Sequence, residues 1–281
     1  MIEGVIVSIK YGTYLVNSNG VIYQTSPRGL LKFKGKLYVG DKVLLDEDNY
    51  VITDVLERSS LLKRPPISNV SQILLIFSLK EPEFSYYLAF KYLTYASFNG
   101  IKASLILTKA DKSNEKEYQQ IKETFEKIGI STYVTSSKNK EGIEEIKNLF
   151  KNNVSVLIGQ SGVGKSSLLN AIDENFAREV GEYSLALGRG KHKTKEVLLL
   201  PYMDGYIADT PGFSSLELEM SKLDVAHYFP SFENDALECF YSNCLHISEK
   251  NCKIKEKVSS GEIPSIAYEN YLKLIEEVEK Y

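Results

Sequence analysis

One eight-residue motif, Gly-Gln-Ser-Gly-Val-Gly-Lys-Ser at residues 159–166, restricts the possible folds of this chain more than any other feature. A β-branched apolar run at 154–158 comes directly before it and predicts a buried strand, and a helix is predicted for residues 166–172. In this strand–loop–helix context, the backbone N–H groups of the loop can surround phosphate oxygens. The motif therefore predicts an α/β domain that binds a nucleotide phosphate.

Two side chains of this loop have predicted chemical roles. The Lys165 ammonium is expected to reach the β- and γ-phosphates and to act catalytically, and the Ser166 hydroxyl is expected to bind magnesium. The residues predicted to contact the nucleotide in this segment are Gly159, Gln160, Ser161, Gly162, Val163, Gly164, Lys165, Ser166 and Ser167.

A second motif, Thr-Lys-Ala-Asp at 108–111, follows a strand predicted at 103–107 and identifies the base. The Asp111 carboxylate can accept hydrogen bonds from guanine N1–H and N2–H2, which adenine lacks, and Lys109 would lie along the base plane. Thr108 stands where asparagine is commoner. The next predicted strand, 132–134, leads into a segment that can offer backbone N–H groups to guanine O6, namely Ser136, Ser137 and Lys138. The predicted nucleotide is GTP or GDP.

Asp-Thr-Pro-Gly at 209–212 is the third nucleotide motif, and it follows a short strand predicted at 205–208. Asp209 is expected to hold magnesium through water, and the Gly212 N–H to contact the γ-phosphate. In an ordinary GTPase the phosphate loop comes first and the guanine-reading motif later. Here the guanine-reading motif comes first, which indicates a circularly permuted GTPase.

The segment Gly-Arg-Gly-Lys-His-Lys-Thr-Lys at 188–195 supplies the candidate switch residues. Phe213 stands where many GTPases carry a glutamine that orients the attacking water, and a phenyl ring cannot do this. His192 is therefore a candidate catalytic residue, although it could equally contact RNA or phosphate without catalytic work. Thr194 is a candidate magnesium ligand and catalytic residue, unless it is an ordinary loop threonine.

The zinc prediction rests on Cys239, Cys244, His246 and Cys252, which include all three cysteines of the chain. Three thiolates and an imidazole close a tetrahedron around zinc and leave no open position for catalysis, so the site would be structural. The alternative is three buried cysteines beside a chance histidine.

Strand and helix patterns divide the chain into three segments. Short β-branched or aromatic runs predict strands at 5–7, 13–16, 21–23, 37–39, 42–45 and 50–52, typical of a small OB-fold or SH3-like barrel over residues 1–64. Lys-Arg-Pro-Pro at 63–66 is predicted to be a linker. Alternating strands and helices predict a mainly parallel sheet for the GTPase domain, 65–217, and a mostly helical zinc-binding domain is predicted for 218–281.

Charge and hydropathy restrict the partners. The net charge of −3 requires any RNA contact to come from local basic clusters. Three clusters are present: Lys32, Lys34 and Lys36; Arg189, Lys191, Lys193 and Lys195; and Lys250, Lys253, Lys255 and Lys257.

The most apolar run, 73–77, is only strand-sized, and the N-terminus does not resemble a signal peptide. A cytoplasmic monomer with no membrane partner is expected.

Taken with the barrel and the Cys-x4-Cys-x-His-x5-Cys pattern, these motifs resemble the circularly permuted small ribosomal subunit biogenesis GTPases, the RsgA (YjeQ/YloQ) family. The resemblance covers nearly the whole chain. It implies an OB-fold, a permuted GTPase core and a zinc domain that bind the small ribosomal subunit and its rRNA late in maturation, with GTP hydrolysis stimulated by that subunit. Lys193 departs from the family pattern, which has threonine there.

Two other functions fit parts of the sequence. One is a permuted GTPase that acts on a different ribonucleoprotein, such as the large subunit. The other is a non-enzymatic RNA-binding scaffold with a degenerate nucleotide site, suggested by Thr108, Lys193 and Phe213.

Overall fold

A computed structural model describes residues 1–29, 35–174, 176, 178, 197–209 and 218–278. The predicted switch residues at 188–195, Gly212 and Phe213 lie outside these ranges, and Asp209 is described by its backbone alone. The chain forms two compact units. The first comprises Met1–Gln72, Glu144–Leu157 and Leu169–Phe213, and the second comprises Ile73–Ile143, Ile158–Leu168 and Ser214–Tyr281.

A closed barrel in the first unit contains five strands in the order β1-β2-β3-β5-β4. The strands are β1 (Ile2–Lys10), β2 (Thr13–Ser18), β3 (Val21–Pro27), β4 (Lys42–Asp46) and β5 (Val51–Val55). Its core consists of alternating apolar side chains that point inward, among them Ile6, Val16, Val43, Leu45 and Ile52. Two hairpins close through two-residue turns with positive φ, Tyr11-Gly12 and Asn19-Gly20. The predicted OB-like barrel is confirmed.

Two local predictions in this unit are wrong. Residues 37–39 form no strand and contribute only an isolated bridge between Val39 and Ile67, because the Tyr38 N–H donates instead to the buried Asp41 carboxylate at 2.8 Å. The supposed linker at 63–66 is the turn of a hairpin, β6 (Leu61–Lys63) with β7 (Pro66–Ser68). A proline at the first position of a short edge strand removes no required ladder hydrogen bond.

One six-stranded sheet has the order β10-β9-β8-β11-β13-β12. Its strands are β8 (Gln72–Ser78), β9 (Lys102–Thr108), β10 (Thr132–Val134), β11 (Val154–Ile158), β12 (Leu198–Tyr202) and β13 (Gly205–Asp209). The pairs β9–β10 and β11–β13 are parallel, whereas β12 runs antiparallel to β13 at the edge. Strand β12 was not predicted from the sequence; its three leucines are followed by Pro201, a residue that is tolerated at an edge.

Seven α-helices lie in the described part of the chain: α1 (Tyr86–Phe98), α2 (Glu115–Lys127), α3 (Ile143–Leu149), α4 (Lys165–Ile172), α5 (Lys222–Tyr228), α6 (Lys253–Ser259) and α7 (Ser265–Val278). Side-chain caps fix three of the helix starts, since Ser85, Asn114 and Ser221 accept hydrogen bonds from N–H groups in the first turns of α1, α2 and α5. None of these helices is long and apolar enough to cross a membrane.

In the second unit, the C-terminal helices pack against α1. The rings of Phe90 and Phe229 stack with centroids 5.2 Å apart, and the largely buried Lys91 ammonium lies 2.5 Å from a Glu277 carboxylate oxygen. The same unit therefore holds the phosphate loop, the guanine-reading motif and the segment with the cysteines.

Candidate nucleotide-binding and metal-binding sites

The guanine-reading residues lie at the carboxyl ends of the neighbouring strands β9 and β10. Asp111 is in a short 3-10 turn that directly follows Lys109, whose φ of 60° is left-handed. The Ser136 hydroxyl donates to the Asp111 carboxylate at 2.7 Å and accepts from the Asn139 N–H at 3.2 Å. Because Ser136 is fully buried, it anchors the exposed Asp111 carboxylate to the body of the unit.

Hydrogen bonds connect this motif to the phosphate loop. The Thr108 hydroxyl donates to the Val163 carbonyl at 2.5 Å and lies 3.2 Å from the Phe77 carbonyl. The Lys109 ammonium donates to the Gly162 carbonyl at 2.8 Å. Although Thr108 replaces the commoner asparagine, its shorter side chain still reaches the loop, so segments more than 50 residues apart form one site.

The phosphate loop has the backbone that an anion cradle requires. Gly162 and Gly164 have φ values of 80° and 97°, which glycine adopts without steric cost. A Cβ at Gly159 would lie 2.3 Å from the Ile76 carbonyl oxygen, so this position also needs glycine. Helix α4 begins at Lys165, and the N–H groups of its first turn have no acceptors within the helix. The loop therefore fits a phosphate.

Lys165 folds back over the loop. Its ammonium donates to the Gln160 carbonyl at 2.8 Å and also to the Gly159 carbonyl. Burial lowers the pKa of this ammonium, and a phosphate partner would favour its charged form. Ser166 and Ser167 lie exposed in the first turn of α4, where their hydroxyls are accessible to a ligand.

Other predicted site residues are described only in part. Ser137 and Lys138 follow Ser136 directly and lie half-buried and exposed, respectively. Asp209 ends β13, but its side chain is outside the described residues, as are His192, Thr194 and Gly212. Their roles stay predictions.

A further contact to the guanine-reading motif comes from the loop between β8 and α1, which no sequence motif indicated. The Glu81 carbonyl accepts from the Lys109 ammonium, and the Glu81 carboxylate lies 2.5 Å from the Lys112 ammonium. This hydrogen bond from Lys112 lowers the pKa of Glu81. Glu81 thus contacts both Lys109 and Lys112, which lie on either side of Ala110-Asp111 in the sequence.

The four metal-ligand candidates converge in the C-terminal segment. Their ligand atoms, from Cys239, Cys244, His246 and Cys252, all lie within 4.8 Å of one another. The His246 Nδ1 is 3.5 Å from the Cys239 Sγ and 3.4 Å from the Cys252 Sγ, and these two sulfurs are 3.9 Å apart. A tetrahedral zinc with ordinary bond lengths places S and N ligands ~3.6 Å apart and S ligands ~3.8 Å apart. The donor set and its spacing therefore fit zinc.

Without a metal, burial favours the protonated form of the thiols in this cluster. Burial raises the pKa of Cys244 to about 12 and also raises that of Cys252. A bound metal would replace the protons and stabilise the thiolates.

A family model described as RsgA GTPase matches residues 55–219, more than half of the chain. The chain belongs to the RsgA GTPase family. The small ribosomal subunit biogenesis GTPase RsgA of Halalkalibacterium halodurans is 39% identical over an alignment of 287 positions, which covers 99% of this chain and 97% of that protein.

Solved structures of similar proteins support the RsgA assignment. The crystal structure of YjeQ from Thermotoga maritima has a TM-score of 0.84 and 34% identity, covering 100% of this chain and 99% of that chain. YloQ, described as a circularly permuted GTPase, has a TM-score of 0.82 and 32% identity, covering 100% of this chain and 96% of its own. The predicted fold class, with its barrel, permuted GTPase core and C-terminal Cys3His cluster, is confirmed.

Proposed function

We propose that this RsgA-family chain binds the small ribosomal subunit and hydrolyses GTP during the late maturation of that subunit. Its relative in Halalkalibacterium halodurans carries the name small ribosomal subunit biogenesis GTPase, and the similarity extends over both full lengths. One observation carries the enzymatic part of the proposal. Hydrogen bonds from Thr108 and Lys109 join the guanine-reading motif to the phosphate loop, as a GTP site requires.

The described residues support recognition of GTP. Asp111, anchored by Ser136, would accept the guanine N1–H and N2–H2, while the backbone after Ser136 would donate to guanine O6. The N–H groups of the phosphate loop would hold the phosphates, with the Lys165 ammonium moving from the loop carbonyls to the β- and γ-phosphates. An adenine nucleotide would leave the Asp111 carboxylate without donors, which disfavours ATP.

Magnesium would be held by Ser166, Thr194 and Asp209. When bound, the ion would supply positive charge that neutralises the phosphates. Because Phe213 cannot orient water, the free protein would hydrolyse GTP slowly. Contact of the basic segment 189–195 with rRNA phosphates would order His192 near the attacking water, so that the small subunit stimulates turnover.

The Cys3His cluster would hold one structural zinc ion. Its donor atoms are spaced for a closed tetrahedron, and three of the four ligand residues are buried, so the site lacks an accessible position for a substrate. Since the four ligands all lie between residues 239 and 252, the metal would supply much of the folding free energy of this loop-rich stretch.

Contacts with rRNA would come from the barrel segment, 1–64, and the zinc segment, 218–281. In the sequence, these precede and follow the GTPase segment, 65–217. Barrels of this type commonly bind RNA through their open face and loops. The protein would act as a cytoplasmic monomer.

A GTPase assay with and without purified small subunits tests the proposal most directly. We expect slow turnover by the free protein and clear stimulation by small subunits. A protein that binds RNA but never hydrolyses GTP would be a scaffold. Co-sedimentation with separated subunits distinguishes the targets, since binding to large subunits alone would assign the protein to another ribonucleoprotein.

A further inference from the structure

The peptide segment that carries His246 is held by a carboxylate outside the ligand set. One Glu249 oxygen accepts from the Leu245 N–H and the other accepts from the Ile247 N–H, each at 2.8 Å. These two N–H groups flank the ligand residue on both sides. Both oxygens of a single carboxylate are therefore used to fix the backbone around one metal ligand.

Two tyrosines of α7 hold the opposite, carbonyl side of the same segment. The Tyr268 hydroxyl donates to the His246 carbonyl and the Tyr271 hydroxyl donates to the Leu245 carbonyl, both at 2.6 Å. Tyr271 is fully buried, and the Phe232 ring lies edge-on to the His246 ring with centroids 5.5 Å apart. Helix α7 thus contacts both the backbone and the surroundings of the ligand.

His246 needs this support because its backbone is strained. Its φ of 57° lies in the left-handed region, which costs a residue other than glycine or asparagine about 1 kcal/mol or more. Surrounding contacts must therefore hold this conformation. The four hydrogen bonds from Glu249, Tyr268 and Tyr271 all fall on the three consecutive residues 245–247.

We propose that Glu249, Tyr268 and Tyr271 are positioning residues for the metal. They preset residues 245–247, with His246 at the centre, in the ligand geometry, so that binding the ion requires little further ordering of the chain. The proposal rests on the zinc site proposed above. It attributes part of the zinc affinity to residues that do not contact the ion. Loss of outer partners of metal ligands commonly weakens metal binding 10- to 100-fold.

This arrangement makes metal retention depend on the C-terminal helix. Helix α7 is itself fixed to α1 through the Lys91–Glu277 ion pair in the same unit. The ligand segment is consequently connected, through two hydroxyl groups, to a helix that packs in the body of the unit.

The test measures zinc release from the full-length, zinc-loaded protein into excess chelator with a colorimetric zinc indicator. The variants are Glu249→Gln, Tyr268→Phe and Tyr271→Phe. Matched controls are Glu256→Gln, an exposed carboxylate paired with Lys253, and Tyr241→Phe, a half-exposed hydroxyl in the loop between two of the cysteines. We expect roughly tenfold or faster release from the three variants and wild-type release from both controls.

Cobalt substitution gives a second readout, which a general loss of stability would not produce. The visible ligand-field bands of the cobalt-loaded protein should shift in the three variants, since the imidazole changes its orientation, and stay unchanged in the controls. Release rates and spectra equal to those of the controls would overturn the proposal.

Two further outcomes are also decisive. A wild-type protein that binds no metal would overturn the zinc site together with this proposal, whereas one tightly held zinc in every variant would overturn this proposal alone. If Glu249→Gln or Tyr271→Phe yields no folded protein, the half-buried Tyr268→Phe, which removes a single hydroxyl, decides by the same criteria.

Discussion

The Ser136 hydroxyl and the Asp111 carboxylate, 2.7 Å apart, connect the ends of two neighbouring strands. Asp111 follows β9, and Ser136 follows β10. Since the hydrogen bond uses one side of the carboxylate, the group is oriented before a nucleotide arrives. We therefore expect the guanine specificity proposed for this site to depend on the charge and the acceptor character of the Asp111 side chain.

The variant Asp111→Asn should weaken GTP binding by more than about tenfold, because a hydrogen bond to a charged group contributes about 1.5–3 kcal/mol. It should also relax discrimination against XTP, whose base carries a carbonyl in place of the 2-amino group and can accept from the new amide. Equilibrium binding of GTP and XTP measures both effects. Unchanged affinities for both nucleotides would show that Asp111 does not read the base.

The variant Lys165→Ala should lower GTP turnover by at least about a hundredfold, since it removes the cation expected at the transferring phosphoryl group. Single-turnover hydrolysis at saturating GTP is the appropriate measurement. The exposed Lys151, which lies in the turn after α3, supplies the matched control Lys151→Ala. Wild-type turnover in the Lys165 variant would contradict the phosphate-loop assignment.

Short motifs at strand ends are the basis of the predicted nucleotide site. The roles proposed for Lys109, Asp111 and the phosphate-loop glycines depend on local backbone geometry, and the strand β11 was predicted with its observed bounds. Contacts that depend on packing could not be predicted. The Glu81 contacts with Lys109 and Lys112 require a loop 28 and 31 residues away to fold against the motif.

Side-chain competition for a backbone group explains why the strand predicted at 37–39 is absent. The run at 37–39 has the composition of a strand, but the buried Asp41 captures the Tyr38 N–H that a ladder would need. Composition alone also predicted no role for Glu249, Tyr268 or Tyr271. Their importance follows only from the positions of the Leu245 and His246 backbone groups in the folded chain.

The variant Arg58→Ala should destabilise the barrel by about 3 kcal/mol, because loss of one partner leaves a buried charge uncompensated. The Arg58 guanidinium makes two hydrogen bonds to the fully buried Asp41 carboxylate, at 2.6 and 2.8 Å. Urea unfolding followed by circular dichroism measures the change. The control Lys36→Ala removes a different cation over the Tyr38 ring, and its effect should stay below about 1 kcal/mol. Equal effects of the two substitutions would contradict the prediction.

Protein purified without chelator should contain one zinc ion per chain. Chelation, or the variant Cys244→Ser, should unfold the C-terminal segment, since structural zinc contributes on the order of 10 kcal/mol. Nucleotide binding should survive, because the contacts among Thr108, Lys109 and the phosphate loop include no metal ligand. Metal analysis, together with hydrogen exchange of α6 and α7, measures these outcomes. Absence of zinc from the purified protein would contradict the proposed zinc site.

The variant His192→Ala should abolish most of the turnover stimulated by small subunits and leave nucleotide affinity nearly unchanged. Phe213 occupies the place of a water-orienting glutamine, so the free protein should hydrolyse GTP at roughly 10⁻⁴ to 10⁻² per second, the range of unassisted GTPases. Docking of Arg189, Lys191 and the neighbouring lysines on rRNA phosphates would bring His192 to the attacking water. Basal turnover, which does not use this docked arrangement, should change little in the variant. Full stimulation without the histidine would show that it only contacts RNA or has no role in hydrolysis.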